Sequence, residues 1–81
     1  MQGTDLRLME AVERERQRLK MSQRAFSQFL GIDPAHWHRI RAGERPLTLY
    51  VLTAFMQKLP ELTPEVTAFI VAQGDNNQKE E

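Results

Sequence analysis

In QRAFSQFLGIDPAHWHRIRA, residues 23–42, the apolar residues Phe26, Phe29 and Leu30 recur at helical spacing and stop at Gly31. Ser22, just ahead of the stretch, offers a hydroxyl that can accept an otherwise orphaned backbone N–H and start a helix. Met21 before it can pack on Phe26 as a hydrophobic staple. Gly31 closes the helix, because a positive φ costs glycine little. Asp33-Pro34 then repeats a start signal, with a capping carboxylate followed by a proline at the first helical position. The next helix runs from Pro34 to about Ala42 and stops at Gly43. Two short helices joined this tightly cannot lie antiparallel and must cross steeply, as in a helix-turn-helix.

The same reading extends to both sides. Upstream, Leu8, Ala11, Val12 and Leu19 mark a first helix over roughly Asp5 to Leu19, with the polar run ERERQR in between. Downstream, Thr48 caps a fourth helix whose stripe is Leu49, Leu52, Phe55, Met56 and Leu59, closed by Pro60. Thr63-Pro64-Glu65 signals a fifth helix carrying Val66, Phe69 and Ile70 and ending near Gly74. The last segment, GDNNQKEE, holds no apolar residue. The expectation is a domain over residues 1–73 and a disordered polar tail over 74–81. No alternating pattern of a strand appears, so the fold class is all-α with five helices.

Composition narrows the function. The chain has 81 residues, 41% of them hydrophobic and 27% charged, which suits one small globular domain. Such a chain buries only roughly two thirds of its unfolded surface, so a second copy would help its stability. It has no cysteine, which removes disulfides, thiolate zinc sites and thiol nucleophiles. No Gly-rich phosphate loop and no acid–base pair is found, and Glu10, Glu13 and Glu15 sit on a helix without a pocket partner, so no enzyme is expected. His36 and His38, two residues apart on a helix, point about 200° from each other and share no metal. No cofactor, metal or small-molecule ligand is expected. No run reaches the roughly 18 apolar residues of a membrane span, and Met1 to Met9 lacks a secretion pattern, so the expected location is cytoplasmic.

Net charge is zero, yet the charges are segregated. Residues 1–13 carry a balance of −2 and residues 46–81 a balance of −3, whereas residues 14–45 hold eight basic against three acidic residues, +5. The middle third therefore suits a polyanion. The competing reading is a solvated face of paired acids and bases, with Glu10 and Arg14 at favourable spacing.

The opening Ser22-Gln23, Phe26, small Ser27, Leu30-Gly31-Ile32, Trp37, Ile40 and the loop Gly43-x-Arg45-Pro46 resemble the phage-repressor and Cro-like helix-turn-helix family, of the xenobiotic-response-element type. The likeness covers Met21 to about Leu59, with residues 6–20 fitting the family's first helix more loosely. It implies a lambda-repressor-like, five-helix DNA-binding domain with the helix-turn-helix at the second and third helices. In that arrangement Ser27 is small because the third helix crosses close to it, and Ile32, Trp37 and Ile40 plug the angle between the helices. Two positions depart from the pattern. Arg41 replaces the Glu usual near the end of the third helix, and Trp37 is much larger than the usual Val or Ile.

A helical wheel of the third helix puts Trp37 and Ile40 on one side and Pro34, Ala35, His38, Arg39 and Ala42 on the other, with His36 and Arg41 at the borders. Small residues with one His and one Arg suit entry into a major groove. Arg39 can donate two hydrogen bonds to guanine, His38 can reach a base edge or phosphate, and Ala35 can touch a thymine methyl. The resemblance places base reading at Pro34, Ala35, His38 and Arg39, although Pro34 can donate nothing. It places phosphate binding at Gln23 and Arg45, and charge and position add Arg24 and Arg41. Val66, Phe69 and Ile70 are expected to serve both as a wall of the core and as a dimer surface. The function expected is a sequence-specific double-stranded DNA-binding transcriptional regulator, a repressor acting as a homodimer. The alternative is a helical protein-interaction module of antitoxin-like or phage-accessory kind, suggested by the neutral charge and by Phe29 and Phe69.

Overall fold

Three polar side chains start helices where the sequence places them. The Ser22 hydroxyl accepts the Ala25 N–H at 3.0 Å, one Asp33 carboxylate oxygen accepts those of Ala35 and His36, and the Thr48 hydroxyl accepts that of Val51. The computed structural model describes residues 3–79, with side-chain surroundings given for 5–74. Its elements are α1 (Gly3–Arg18), α2 (Gln23–Leu30), α3 (Pro34–Arg41), α4 (Leu49–Lys58), a short 3-10 turn (Pro60–Leu62) and α5 (Thr63–Lys79). Among the described residues there is no strand. Among the described residues, no helix is long and apolar enough to cross a membrane.

Helix ends explain the tight connections. At the end of α2, Gly31 takes φ 78°, its N–H reaches the Gln28 carbonyl, and the Ile32 N–H reaches that of Ser27 at 2.9 Å. This is a Schellman closure, and the residue after the glycine, Ile32, turns back into the core as that motif favours. The end of α3 repeats the pattern with Gly43 at φ 80° and a Glu44 N–H bonded to the Arg39 carbonyl. The end of α1 repeats it too, but the left-handed residue there is Lys20, at φ 57°. A side chain at such a φ costs about 1–2 kcal/mol, so the α1–α2 joint is held against local strain.

The core runs through every helix. Leu8, Ala11 and Val12 of α1, Phe26 and Leu30 of α2, Trp37 and Ile40 of α3, Val51, Leu52, Ala54 and Phe55 of α4, and Val66 and Phe69 of α5 are buried together. An aromatic file sits at its centre. Phe26 stacks on Phe29 at 6.2 Å and meets Trp37 edge-on at 5.8 Å, and Trp37 in turn meets Phe55 at 6.1 Å. Each such pair contributes about 0.5–1.5 kcal/mol beyond area burial. The file therefore fixes α3 against both α2 and α4.

Four expectations are corrected. Leu49 and Met56 do not join the buried stripe of α4 and are exposed, while Val51 and Ala54 take their place. The apolar face of α4 is therefore rotated from the one the spacing suggested. Thr63 does not cap α5. Its hydroxyl donates to the Pro60 carbonyl at 2.8 Å, because the 3-10 turn runs directly into α5 and leaves no free helix start. The chain beyond residue 73 continues helical to Lys79, since no proline interrupts it and Gly74 weakens a helix by only about 1 kcal/mol. Glu80 and Glu81 lie outside the described residues. Glu10 and Arg14 form no ion pair; the pairs of α1 are Glu13–Arg16 and Glu15–Arg18, one turn further along.

Candidate nucleic-acid interface

With Trp37 and Ile40 fixed in the core, helical geometry decides what α3 shows to solvent. Ala35, His38, Arg39, Arg41 and Ala42 are exposed, and Pro34 and His36 are half-buried. Among the described residues, no other element covers the outer side of α3. The face holds two methyl-sized side chains, one imidazole and one guanidinium at its centre, with Arg41 at its edge.

The surrounding cations are free. Arg24 stands exposed on the first turn of α2, and Arg45 in the loop between α3 and α4. Among the described residues, none of Arg24, Arg39, Arg41 and Arg45 belongs to an ion pair. Arg41 borders a cleft with Glu13, Gln23 and Trp37, so it sits where α1, α2 and α3 meet. Arg45 borders a groove with Met9, Ile40 and Pro46.

The two helix starts near this face differ in sign. Ser22, a neutral cap, satisfies the Ala25 N–H and leaves those of Gln23 and Arg24 without an intrahelical acceptor. Those donors and the positive end of the helix suit an anion. Asp33 caps α3 with a carboxylate. A phosphate is therefore tolerated at the start of α2 and repelled at the start of α3.

Gln23 is placed differently from the other expected phosphate ligands. Its amide oxygen accepts the indole N–H of Trp37 at 3.0 Å, and its amide nitrogen donates to Glu13 at 3.3 Å. Both functional atoms of the side chain are engaged inside the molecule. The dimer residues are also divided: Val66 and Phe69 are buried in their own chain, and only Ile70 is exposed. Phe29 is partly buried and carries the Lys58 ammonium 6.0 Å above its ring.

The sequence assigned no structural role to Glu13, Arg16 or Tyr50. Glu13 receives a two-pronged bond from the Arg16 guanidinium and further bonds from Gln17 and Gln23. The Arg16 bond above all, with help from Gln17 and Gln23, lowers its carboxyl from the ordinary 4.5 to about 2 against the opposing effect of burial. Arg16 also donates to the Met21 carbonyl at 2.6 Å and so ties α1 to the start of α2. The Tyr50 hydroxyl donates to the Gly31 carbonyl at 2.5 Å, linking α4 to the turn between α2 and α3. The Glu13–Arg16 spacing was visible in ERERQR; the Tyr50 contact spans too much chain for any local signal.

No protein-family model matches the chain, and no curated protein or solved structure matches it.

Proposed function

We propose that the protein is a sequence-specific double-stranded DNA-binding regulator, of the repressor and Cro-like type, that sets α3 in the major groove. The observation that carries this reading is the exposed outer face of α3, where Arg39 and His38 stand between Ala35 and Ala42 with no acidic partner among the described residues. Arg39 reads a guanine edge, His38 a neighbouring base or phosphate, and Ala35 a thymine methyl, with Pro34 adding apolar contact. Arg24, Arg41 and Arg45 bind backbone phosphates together with the open N–H groups of α2, which set the register without reading sequence.

The active form in this reading is a homodimer, because one domain of this size offers a modest contact area and two copies would read half-sites about 34 Å apart. With Val66 and Phe69 buried, the surface left for a second copy is the groove that Leu49 and Ile70 line with Pro46, Leu47, Leu52 and Phe69. That same groove, with Leu49 at 75% exposure, favours a second reading as a docking module for another protein.

Selection of bound duplexes from a random pool, repeated at two salt concentrations, tests the proposal. Enrichment of a two-part motif, with affinity falling steeply as salt rises, is the expected result. No retained DNA at low salt would overturn it and leave the docking module.

A further inference from the structure

The engaged amide of Gln23 lies at the middle of a hydrogen-bonded chain. Arg16 holds Glu13 with two nitrogens, Glu13 accepts from Gln23, and Gln23 accepts from Trp37. The chain thus runs from α1, through the first residue of α2, to the inward side of α3. Trp37 is 2% exposed, and a buried indole N–H needs an acceptor. Gln23 supplies it.

Trp37 precedes His38 by one position and Arg39 by two, and α3 is only eight residues long. A helix that short turns as one body. Rotating the indole about the α3 axis therefore re-aims both His38 and Arg39, and hydrogen bonds to base edges weaken steeply once their angles fall away from linearity. The edge-on contacts of Trp37 with Phe26 and Phe55 fix the depth and tilt of its ring, and the N–H to amide bond adds a restraint on its turn about the α3 axis. The hydrogen-bonded restraint on the roll of α3, beside that packing, is the amide of Gln23.

We propose that Gln23 is a positioning residue, which by holding the Trp37 indole sets the roll of α3 and so the aim of His38 and Arg39, instead of gripping a phosphate with its side chain. The inference rests on the DNA-binding reading and says which residue gives that reading its base specificity. It separates Gln23 from Arg24, its neighbour, which carries the phosphate contact at the start of α2.

The test is a double-mutant cycle on the full chain with Gln23→Met, Trp37→Phe and the pair together. Each is titrated against a duplex recovered by selection and a random-sequence duplex of equal length. The positioning role gives each single variant a loss of roughly 5- to 30-fold on the selected duplex, as for one bond to a buried donor, and little change on the random one. The pair then loses no more than the weaker-binding single variant, because both remove one interaction. Equal losses on the two duplexes, or losses that multiply in the pair, overturn the inference and return Gln23 to phosphate binding.

If Trp37→Phe loses its helical circular dichroism, Gln23→Met decides alone, by the ratio of the two duplexes and by tryptophan emission. Trp37 is the chain's single tryptophan, so removing its acceptor must shift the emission of the free protein. Unshifted emission overturns the inference. A native chain that retains no duplex overturns the DNA reading and this inference together, whereas native binding with multiplying losses overturns this inference alone.

Discussion

The second half of α1 and the stretch from α3 into its following loop carry three arginines each and dispose of most of them in opposite ways. In α1, Arg16 forks onto Glu13, and Arg18 pairs with Glu15 at 2.7 Å and approaches Glu61 at 3.9 Å, while Arg14 is exposed and in no ion pair among the described residues. In α3 and its loop, Arg39, Arg41 and Arg45 face solvent without an acidic partner among the described residues. The cause is local. ERERQR interleaves acids and bases one helical turn apart, whereas α3 contains no acid from Pro34 to Arg41. A net charge of zero thus hides two populations: arginines that hold the fold together, and arginines left for a partner.

Substitutions separate the two populations. Arg39→Ala should have the largest effect, removing about 1–3 kcal/mol of base discrimination on the selected duplex while leaving thermal unfolding unchanged. A variant that keeps both affinity and preference would show that α3 does not read bases. Arg16→Ala should do the reverse. It strips Glu13 and the Met21 carbonyl of their donor, and differential scanning calorimetry should show about 1–2 kcal/mol of lost stability with the salt dependence of DNA binding intact.

Acid should act through the same residue pair. The Glu13 carboxyl has a folded value near 2 and an ordinary value of 4.5, so its contribution to stability is complete above 4.5 and is lost as pH falls toward 2. Melting temperature should decline across that window more steeply in the native chain than in Glu13→Gln. Parallel declines would mean that the Arg16 fork does not form in solution.

Smaller effects sharpen the contrast. Arg45→Ala should weaken binding to all duplexes alike and reduce the salt slope by about one unit, while Arg18→Ala should leave the slope as it was. Equal slopes for the two variants would erase the distinction between free and paired arginines. Lys20→Gly should be mildly stabilising, by about 0.5 kcal/mol, because relief of the left-handed strain exceeds the entropy cost of glycine. A lower melting temperature in that variant would mean that Lys20 makes a contact outweighing its strain.

Much of the fold was legible because its signals are local. Ser22, Asp33 and Thr48 act as caps within three residues of themselves, and Gly31 and Gly43 close helices through bonds to the turn just before them. The inward side of α3 was legible for the same reason, since Trp37 and Ile40 lie one turn apart. The roll of α4 was not. Leu49 and Val51 are both apolar, and only packing against α2 and α5 decides which of them is enclosed. Thr63-Pro64 misled because the pattern of a capped start is indistinguishable from the middle of a 3-10 turn running into a helix.

By itself the sequence determined that the chain is all-helical, where the two short helices at its centre begin and end, and which side of α3 faces away from the core. Those properties depend on backbone hydrogen bonds and side-chain periodicity over a few residues. Tertiary structure alone decided that Gln23 is engaged by Trp37 and Glu13, that Val66 and Phe69 are enclosed while Ile70 is not, and that Tyr50 reaches the Gly31 carbonyl. Each of these depends on where a second element comes to rest, and no pattern within one element encodes the distance between two.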